Sequence, residues 1–179
     1  GAIHYPDNIC LSPRGGMVIC ADRRRDAQLI WGMAPDGGRF PLAQNSVVLN
    51  DGPQGFSGDF RRAEWAGCCF SPDGKWLAAV GGAPALFGEV QLWNVADKTL
   101  VQSHAISFDT LFGASFSDDS KQLAFGSFDN KARVLDVEAG KVLGWTPPNE
   151  HGHAALHCPA SFSSSPRLRP RRCSSSSSS

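Results

Sequence analysis

The sequence predicts an all-β fold built from repeated antiparallel sheets, and three observations lead to this prediction. Apolar runs such as residues 76–80 and 89–93 are short, rich in branched and aromatic residues, and bounded by Gly and Asp. Such runs are typical of strands rather than helices. The first run follows a tight turn in which Pro72 presets φ and Gly74 supplies a positive φ. The same turn-and-strand unit then recurs elsewhere along the chain.

The first part of the chain contains the same parts in the same order. Short apolar runs alternate there with Gly-rich or charged stretches, which predicts strands separated by turns and loops. The expected strands are residues 8–12, 17–20, 27–33, 39–42 and 46–50. Residues 51–62, DGPQGFSGDFRR, are rich in Gly and polar residues. We expect them to form the longest loop of the ordered part.

The repeat also continues towards the C-terminus, after the unit that contains residues 70–95. FSDDSKQLA at residues 116–124 aligns with FSPDGKWLA at residues 70–78, and residues 133–137 align with residues 91–95. Repeats of roughly 40–45 residues with four strands each are typical of β-propeller blades. One blade cannot bury both of its faces, so the units must stack. The sequence therefore predicts an incomplete β-propeller of about three four-stranded blades, with or without a partial fourth.

Composition excludes some partners and leaves others open. Lys plus Arg and Asp plus Glu both number 17, so the formal net charge is zero. Such a chain has no overall field that would attract nucleic acid or an anionic membrane. No apolar run reaches the 18 or more residues of a membrane span, and no signal-like segment opens the chain. We expect neither a specific nucleic acid nor a membrane as partner, and the compartment stays open.

The ends of the chain differ from its centre. The first residue is Gly rather than Met, which suggests a piece of a longer or processed protein. Residues 146–160 are expected to form a loop. Residues 161–179 consist mainly of Ser, Arg and Pro. Their apolar surface is too small to offset the entropy lost on ordering, so we expect a disordered C-terminal tail.

The six cysteines show neither a CxxC pair nor metal-ligand spacing. Cys10, Cys20 and Cys68 lie within apolar strand-like runs. A free cysteine in such a place acts as a small hydrophobic residue. We favour buried thiols over disulfides, although the sequence leaves both open.

The third unit carries the motifs of a known repeat. GSFD at residues 126–129 is followed by VLDV at residues 134–137. These motifs resemble those of WD repeats, with Leu135 where Trp is usual, and the resemblance covers residues 68–145. It implies a hydrogen-bonded set that locks the blade, formed here by His104, Ser127 and Asp129. The alternative is that His104 is an ordinary loop histidine.

The first part of the chain resembles another family. PDNICLSPRGGMVICAD, GMAPDGGRFPLAQNSVVLN and FRRAEWAGCCFSPDGKWL are similar, in order and spacing, to the C-terminal portion of PhoX-type alkaline phosphatases. The resemblance covers residues 5–77. It implies a propeller that hydrolyses phosphomonoesters with calcium and iron. By this resemblance, the metal ligands are sought at Asp7, Asn8 and Glu64, although Glu64 is as easily a solvated partner of nearby arginines.

Together these patterns divide the chain into a PhoX-like segment (1–77), WD-repeat-like blades (68–145) and a loop with a tail (146–179). They predict a truncated propeller that acts as a non-catalytic interaction scaffold. Its partners would be proteins bound through the propeller loops, or a second copy bound through an open blade edge. The alternative is a calcium- and iron-dependent phosphatase, which we expect to be inactive without the rest of its site.

Overall fold

The chain folds into three antiparallel four-stranded sheets, here called blades one to three, and a two-stranded sheet. A computed structural model describes residues 3–51, 55, 57–127, 129 and 131–145. These residues form fourteen strands and no α-helix. In each blade the strands follow one another in sequence order. The prediction of an all-β chain with about three four-stranded blades is confirmed.

The strand bounds follow the predicted repeat. Blade one consists of β1 (Pro6–Leu11), β2 (Met17–Ala21), β3 (Leu29–Met33) and β4 (Arg39–Gln44). A short pair, β5 (Val48–Leu49) and β6 (Gly58–Asp59), follows. Blade two consists of β7 (Glu64–Phe70), β8 (Trp76–Ala83), β9 (Phe87–Asn94) and β10 (Thr99–Ser107). Blade three consists of β11 (Leu111–Phe116), β12 (Gln122–Ser127), β13 (Ala132–Asp136) and β14 (Lys141–Trp145).

One detail differs from the sequence-based expectations. The stretch 51–62 is not entirely a loop, because β6 lies within it and pairs with β5. The overlap of the two resemblances at residues 68–77 lies inside blade two. The expected loop and disordered tail at residues 146–179 lie outside the described residues.

The recurring turn between the first two strands of a blade is closed by a serine and an aspartate. In blade two, Ser71 Oγ donates to Asp73 Oδ1 over 2.6 Å and accepts from the Trp76 N–H over 2.9 Å. Ser117 and Asp119 repeat the first of these bonds in blade three, also over 2.6 Å. Gly74 has the expected positive φ of 69°, and Ser120 adopts 61° at the matching position. The repeated motif therefore encodes one turn geometry.

Blade two is buried on both faces because its strands alternate between two cores. Leu77 and Ala79 pack with Val18 of blade one, whereas Ala78 and Val80 pack with blade three. All four β8 residues are at most 6% exposed. Successive side chains of a strand point to opposite faces of a sheet. A run of apolar residues without polar alternation is therefore the expected sequence of a sheet covered on both sides.

The first strands of the blades lie beside one another. β7 packs against β1 on one side and against β11 on the other. This arrangement places the N-terminal ends of the blades together, and with them the residues predicted as metal ligands.

The cysteines of this region are free thiols, as favoured from the sequence. Cys20 is 1% and Cys68 is 8% exposed, and their Sγ atoms lie 3.5 Å apart across the contact between blades one and two. The hydrogen bond with Cys20, together with burial, raises the pKa of the Cys68 thiol. We therefore assign these side chains to packing.

Candidate functional site

Two of the three predicted metal ligands contribute to an acidic cluster between blades one and two. Asp7 lies in β1, and Glu64 is the first residue of β7. Asp22, directly after β2, is the third carboxylate that interacts with them. Sequence reasoning did not single out Asp22. The available signal was its position at the end of a buried strand next to the segment that contains Asp7.

The carboxylates of this cluster repel one another. Glu64 itself is exposed. Partial desolvation beside the packed blades raises the pKa of its carboxyl above the ordinary value, and the negative charges of Asp22 and Asp7 raise it further. Burial and the charge of Asp7 also raise the pKa of Asp22. A nearby like charge disfavours the ionised form of a carboxyl group. The cluster thus concentrates negative potential that a cationic group could neutralise.

The third predicted ligand, Asn8, has a structural partner. Its Oδ1 accepts a hydrogen bond from the backbone N–H of Cys68 over 3.1 Å. Two residues further along β1, Cys10 Sγ accepts from the N–H of Phe70 over 3.3 Å. These bonds join β1 to β7. In this geometry, Asn8 fastens blade one to blade two.

The residues of the cluster do not fit the calcium and iron centre implied by the resemblance. Calcium takes six to eight oxygen ligands at 2.3–2.6 Å. Within the part of the chain that the structure describes, no group of three or more His, Cys, Asp or Glu residues is placed to hold a metal ion. A multi-metal site would therefore need ligands beyond these residues.

A small cavity lies beside Glu64, at the end of blade two. Its walls include Asn45, Trp65, Phe87 and Glu89. Asn45 donates to the backbone oxygens of Phe60 and Ala63 over 3.1 and 2.9 Å, so its amide holds the segment between β6 and β7 in place. Glu64 and Glu89 both line the cavity, but within the described residues they belong to no group of three or more His, Cys, Asp or Glu side chains placed to hold a metal ion.

Two of the three predicted blade-locking residues are in contact. Ser127 Oγ donates to Asp129 Oδ1 over 2.5 Å, and the Lys131 N–H donates to the same oxygen over 3.1 Å. Arg133 completes the set, since its Nη1 donates to Asp129 Oδ1 over 3.0 Å and its Nη2 to Oδ2. The hydrogen bond from Arg133 is the main cause that lowers the pKa of Asp129 to about 2. The sequence analysis missed Arg133, although it lies four residues after Asp129.

His104 is not part of this arrangement. It lies in β10 of blade two, where its Nε2 is 3.3 Å from Gln102 Oε1. Gln102 in turn donates from Nε2 to the backbone oxygen of Val137 in blade three over 3.0 Å. The hydrogen-bonded set around Asp129 thus uses an arginine where the resemblance implies a histidine.

The fold defines the chain as a partial β-propeller, and comparisons with known proteins agree with this class. One similar structure is a chain of the "Crystal Structure of Mitotic Checkpoint Complex", with a TM-score of 0.57 and 18% identity over 78% of this chain and 37% of that chain. Another is "Structure of U3-55K", with a TM-score of 0.57 and 18% identity over 80% of this chain and 39% of that one. At this identity the likeness shows the fold alone.

The sequence comparisons point to two kinds of protein. Residues 1–80 match the family model "Alkaline phosphatase PhoX", which confirms the resemblance over residues 5–77. Tricorn protease homolog 1 of Streptomyces coelicolor is 29% identical over an alignment of 141 residues that covers 73% of this chain and 13% of that protein. The chain therefore spans a small part of that relative and less than two fifths of the two similar structures.

Proposed function

We propose that this chain is a propeller segment that binds a protein partner through its outer blade faces and does not catalyse a reaction by itself. The observation that carries the proposal is the exposed apolar side of β1. Ile9 is 58% and Leu11 is 70% exposed. Asn8 and Cys10, which alternate with them along β1, face blade two. An apolar strand face of this kind is the expected surface of a protein contact. The propeller loops are a second surface open to partners.

The proposal is tested by two measurements on the full chain. At submicromolar concentration, a fluorescent dye that binds apolar surface should bind the wild type, and Leu11→Lys should reduce the signal. Val101→Lys is the matched control, because Val101 is also an exposed apolar residue, 47% exposed, but lies on the outermost strand of blade two. Equal dye binding by all three proteins would contradict the proposed surface.

The second candidate function is phosphomonoester hydrolysis of the PhoX type, and the family match of residues 1–80 supports it. Its calcium and iron ions would lie near Asp7, Asn8 and Glu64, and the remaining ligands would have to come from outside the described residues.

Turnover of p-nitrophenyl phosphate with added calcium and iron separates the two candidates. Under the interaction proposal, the chain shows no metal-dependent turnover. Metal-dependent turnover that is lost in Glu64→Gln, but kept in the remote control Glu138→Gln, would establish the phosphatase and overturn the first proposal. Glu138 is exposed in blade three and serves to test the charge change alone.

A further inference from the structure

Each blade has two faces of different shape, and the difference repeats along the chain. We call the side that packs on the preceding blade the front face and the side that packs on the following blade the back face. Residues paired directly across neighbouring strands share a face. The strand registers therefore assign the equivalent positions in all three blades.

The front faces present large side chains from the first two strands. In blade two, Phe70 pairs with Leu77 and faces blade one. In blade three, Phe116 pairs with Leu123 and faces blade two. The equivalent pair of blade one is Leu11 with Met17.

The back faces present smaller side chains at the matching positions. Blade one has Cys10 paired with Val18, and blade two has Cys69 paired with Ala78. Each of these pairs packs against the large pair of the following blade. The equivalent pair of blade three is Ser115 with Ala124. Both internal contacts thus place a large front face on a small back face.

Within the residues that the structure describes, blade one and blade three each keep one such face without a neighbouring blade. Phe116 and Leu77 are 6% exposed and Leu123 is fully buried, but Leu11 is 70% exposed. On the same front face Ile19 is already buried, while Met17 and Trp31 are half-buried. The back face of blade three contains half-buried Ala124 and Val134 beside Leu143, which is 43% exposed. One chain therefore carries both halves of the blade contact.

We infer that a second copy of this chain docks head to tail, with the front face of blade one against the back face of blade three. This inference rests on the proposed function and names its partner. When both open faces of two copies are engaged, the two contacts close a ring with twofold symmetry. The described blades of two copies number six, which lies within the four to eight blades of typical propellers.

A second copy fits these faces better than the chain's own C-terminal residues. In residues 146–179 the large apolar residues are Leu156, Phe162 and Leu168, and residues 161–179 are mostly Ser, Arg and Pro. Covering one front face requires several large or complementary apolar side chains, as both internal contacts show. Only a blade supplies them in the observed register.

Sedimentation velocity of the full chain over a concentration series tests the inference. The wild type is expected to form a dimer. Leu11→Lys alters the front face, and Leu143→Glu alters the back face. Either change places an unpaired charge in both contacts of the ring, so the dissociation constant should rise roughly 100-fold or more. The control Val101→Lys should dimerise like the wild type. Circular dichroism of each protein verifies that it remains folded.

Mixing the two variants distinguishes head-to-tail docking from other contacts. A mixed dimer of Leu11→Lys and Leu143→Glu contains one wild-type contact, so the mixture should regain dimers that neither variant forms alone. A dimer that resists Leu143→Glu would indicate contact between two front faces and overturn the inference. Monomers at all concentrations would overturn it as well. Dye binding by such a monomer would leave the proposed interaction surface standing, whereas phosphatase turnover bears on the proposed function alone.

Discussion

The interaction between Asp129 and Arg133 provides the sharpest test of how blade three is stabilised. The two side chains are 9% and 14% exposed, and they form two hydrogen bonds. We consider Asp129→Asn, which keeps an oxygen for Ser127 and Lys131 but removes the charge opposite Arg133. The variant leaves a largely buried guanidinium without its carboxylate.

The pKa of Asp129 sets the expected magnitude. It is lowered from 3.8 to about 2, mainly by the hydrogen bond from Arg133. At about 1.36 kcal/mol per pKa unit, this difference corresponds to about 2.5 kcal/mol of folding free energy at neutral pH. Because the folded-state pKa lies below the unfolded-state pKa, the contribution is complete above about pH 4. It is lost as the pH falls towards 2.

Urea unfolding followed by tryptophan fluorescence measures both effects. At pH 7 the free energy of unfolding of Asp129→Asn should fall by about 2.5 kcal/mol. Between pH 4 and pH 2 the wild type should lose stability more steeply than the variant. Asp118→Asn makes the same charge change at an exposed turn position of the same blade and should have little effect. A loss below about 0.5 kcal/mol, the usual range for surface substitutions, or identical acid profiles, would refute this account of the ion pair.

Three further changes test packing and electrostatics elsewhere. Leu123→Ala removes a fully buried side chain at the contact of blades two and three and should cost about 2–5 kcal/mol in urea unfolding. Gly81→Ala should lower the free energy of unfolding by more than about 1 kcal/mol, because the added Cβ would lie 2.2 Å from the backbone oxygen of Glu64. Gly113→Ala is the control, because the space around its added carbon is open. Asp7→Asn should lower the pKa of Glu64 towards its ordinary value in an NMR titration, because it removes one of the repelling charges. An unchanged pKa would show that the two groups do not interact.

The sequence alone was sufficient to predict the blade repeat, because the hydrogen bonds that form each turn join residues close together in the chain. Ser71 and Asp73 close their turn with bonds between residues two to five positions apart. The motif therefore specifies its own geometry wherever it occurs, and it recurs at Ser117 and Asp119. The apolar runs beside it identify the strands for the same reason, since strand periodicity is a property of neighbouring residues.

The sites were harder to predict, because their residues meet through contacts between distant segments. Asp22 joins Asp7 and Glu64 only when β1, β2 and β7 pack together. Asn8 was expected as a metal ligand, but the same packing gives its oxygen the N–H of Cys68. In blade three the partner of Asp129 is Arg133 rather than His104, since the register of β10 brings that histidine next to Gln102.

What the sequence by itself determined is the unit: a four-stranded blade with a serine–aspartate turn, present about three times, with strands that follow one another in order. Only the tertiary structure decided which side of each blade is covered. Adjacent residues of a strand, such as Cys10 and Leu11, both read as apolar, but the neighbouring blade half-buries Cys10 and leaves Leu11, on the other face, 70% exposed. Burial depends on what packs against a face, and that partner is not encoded within the strand.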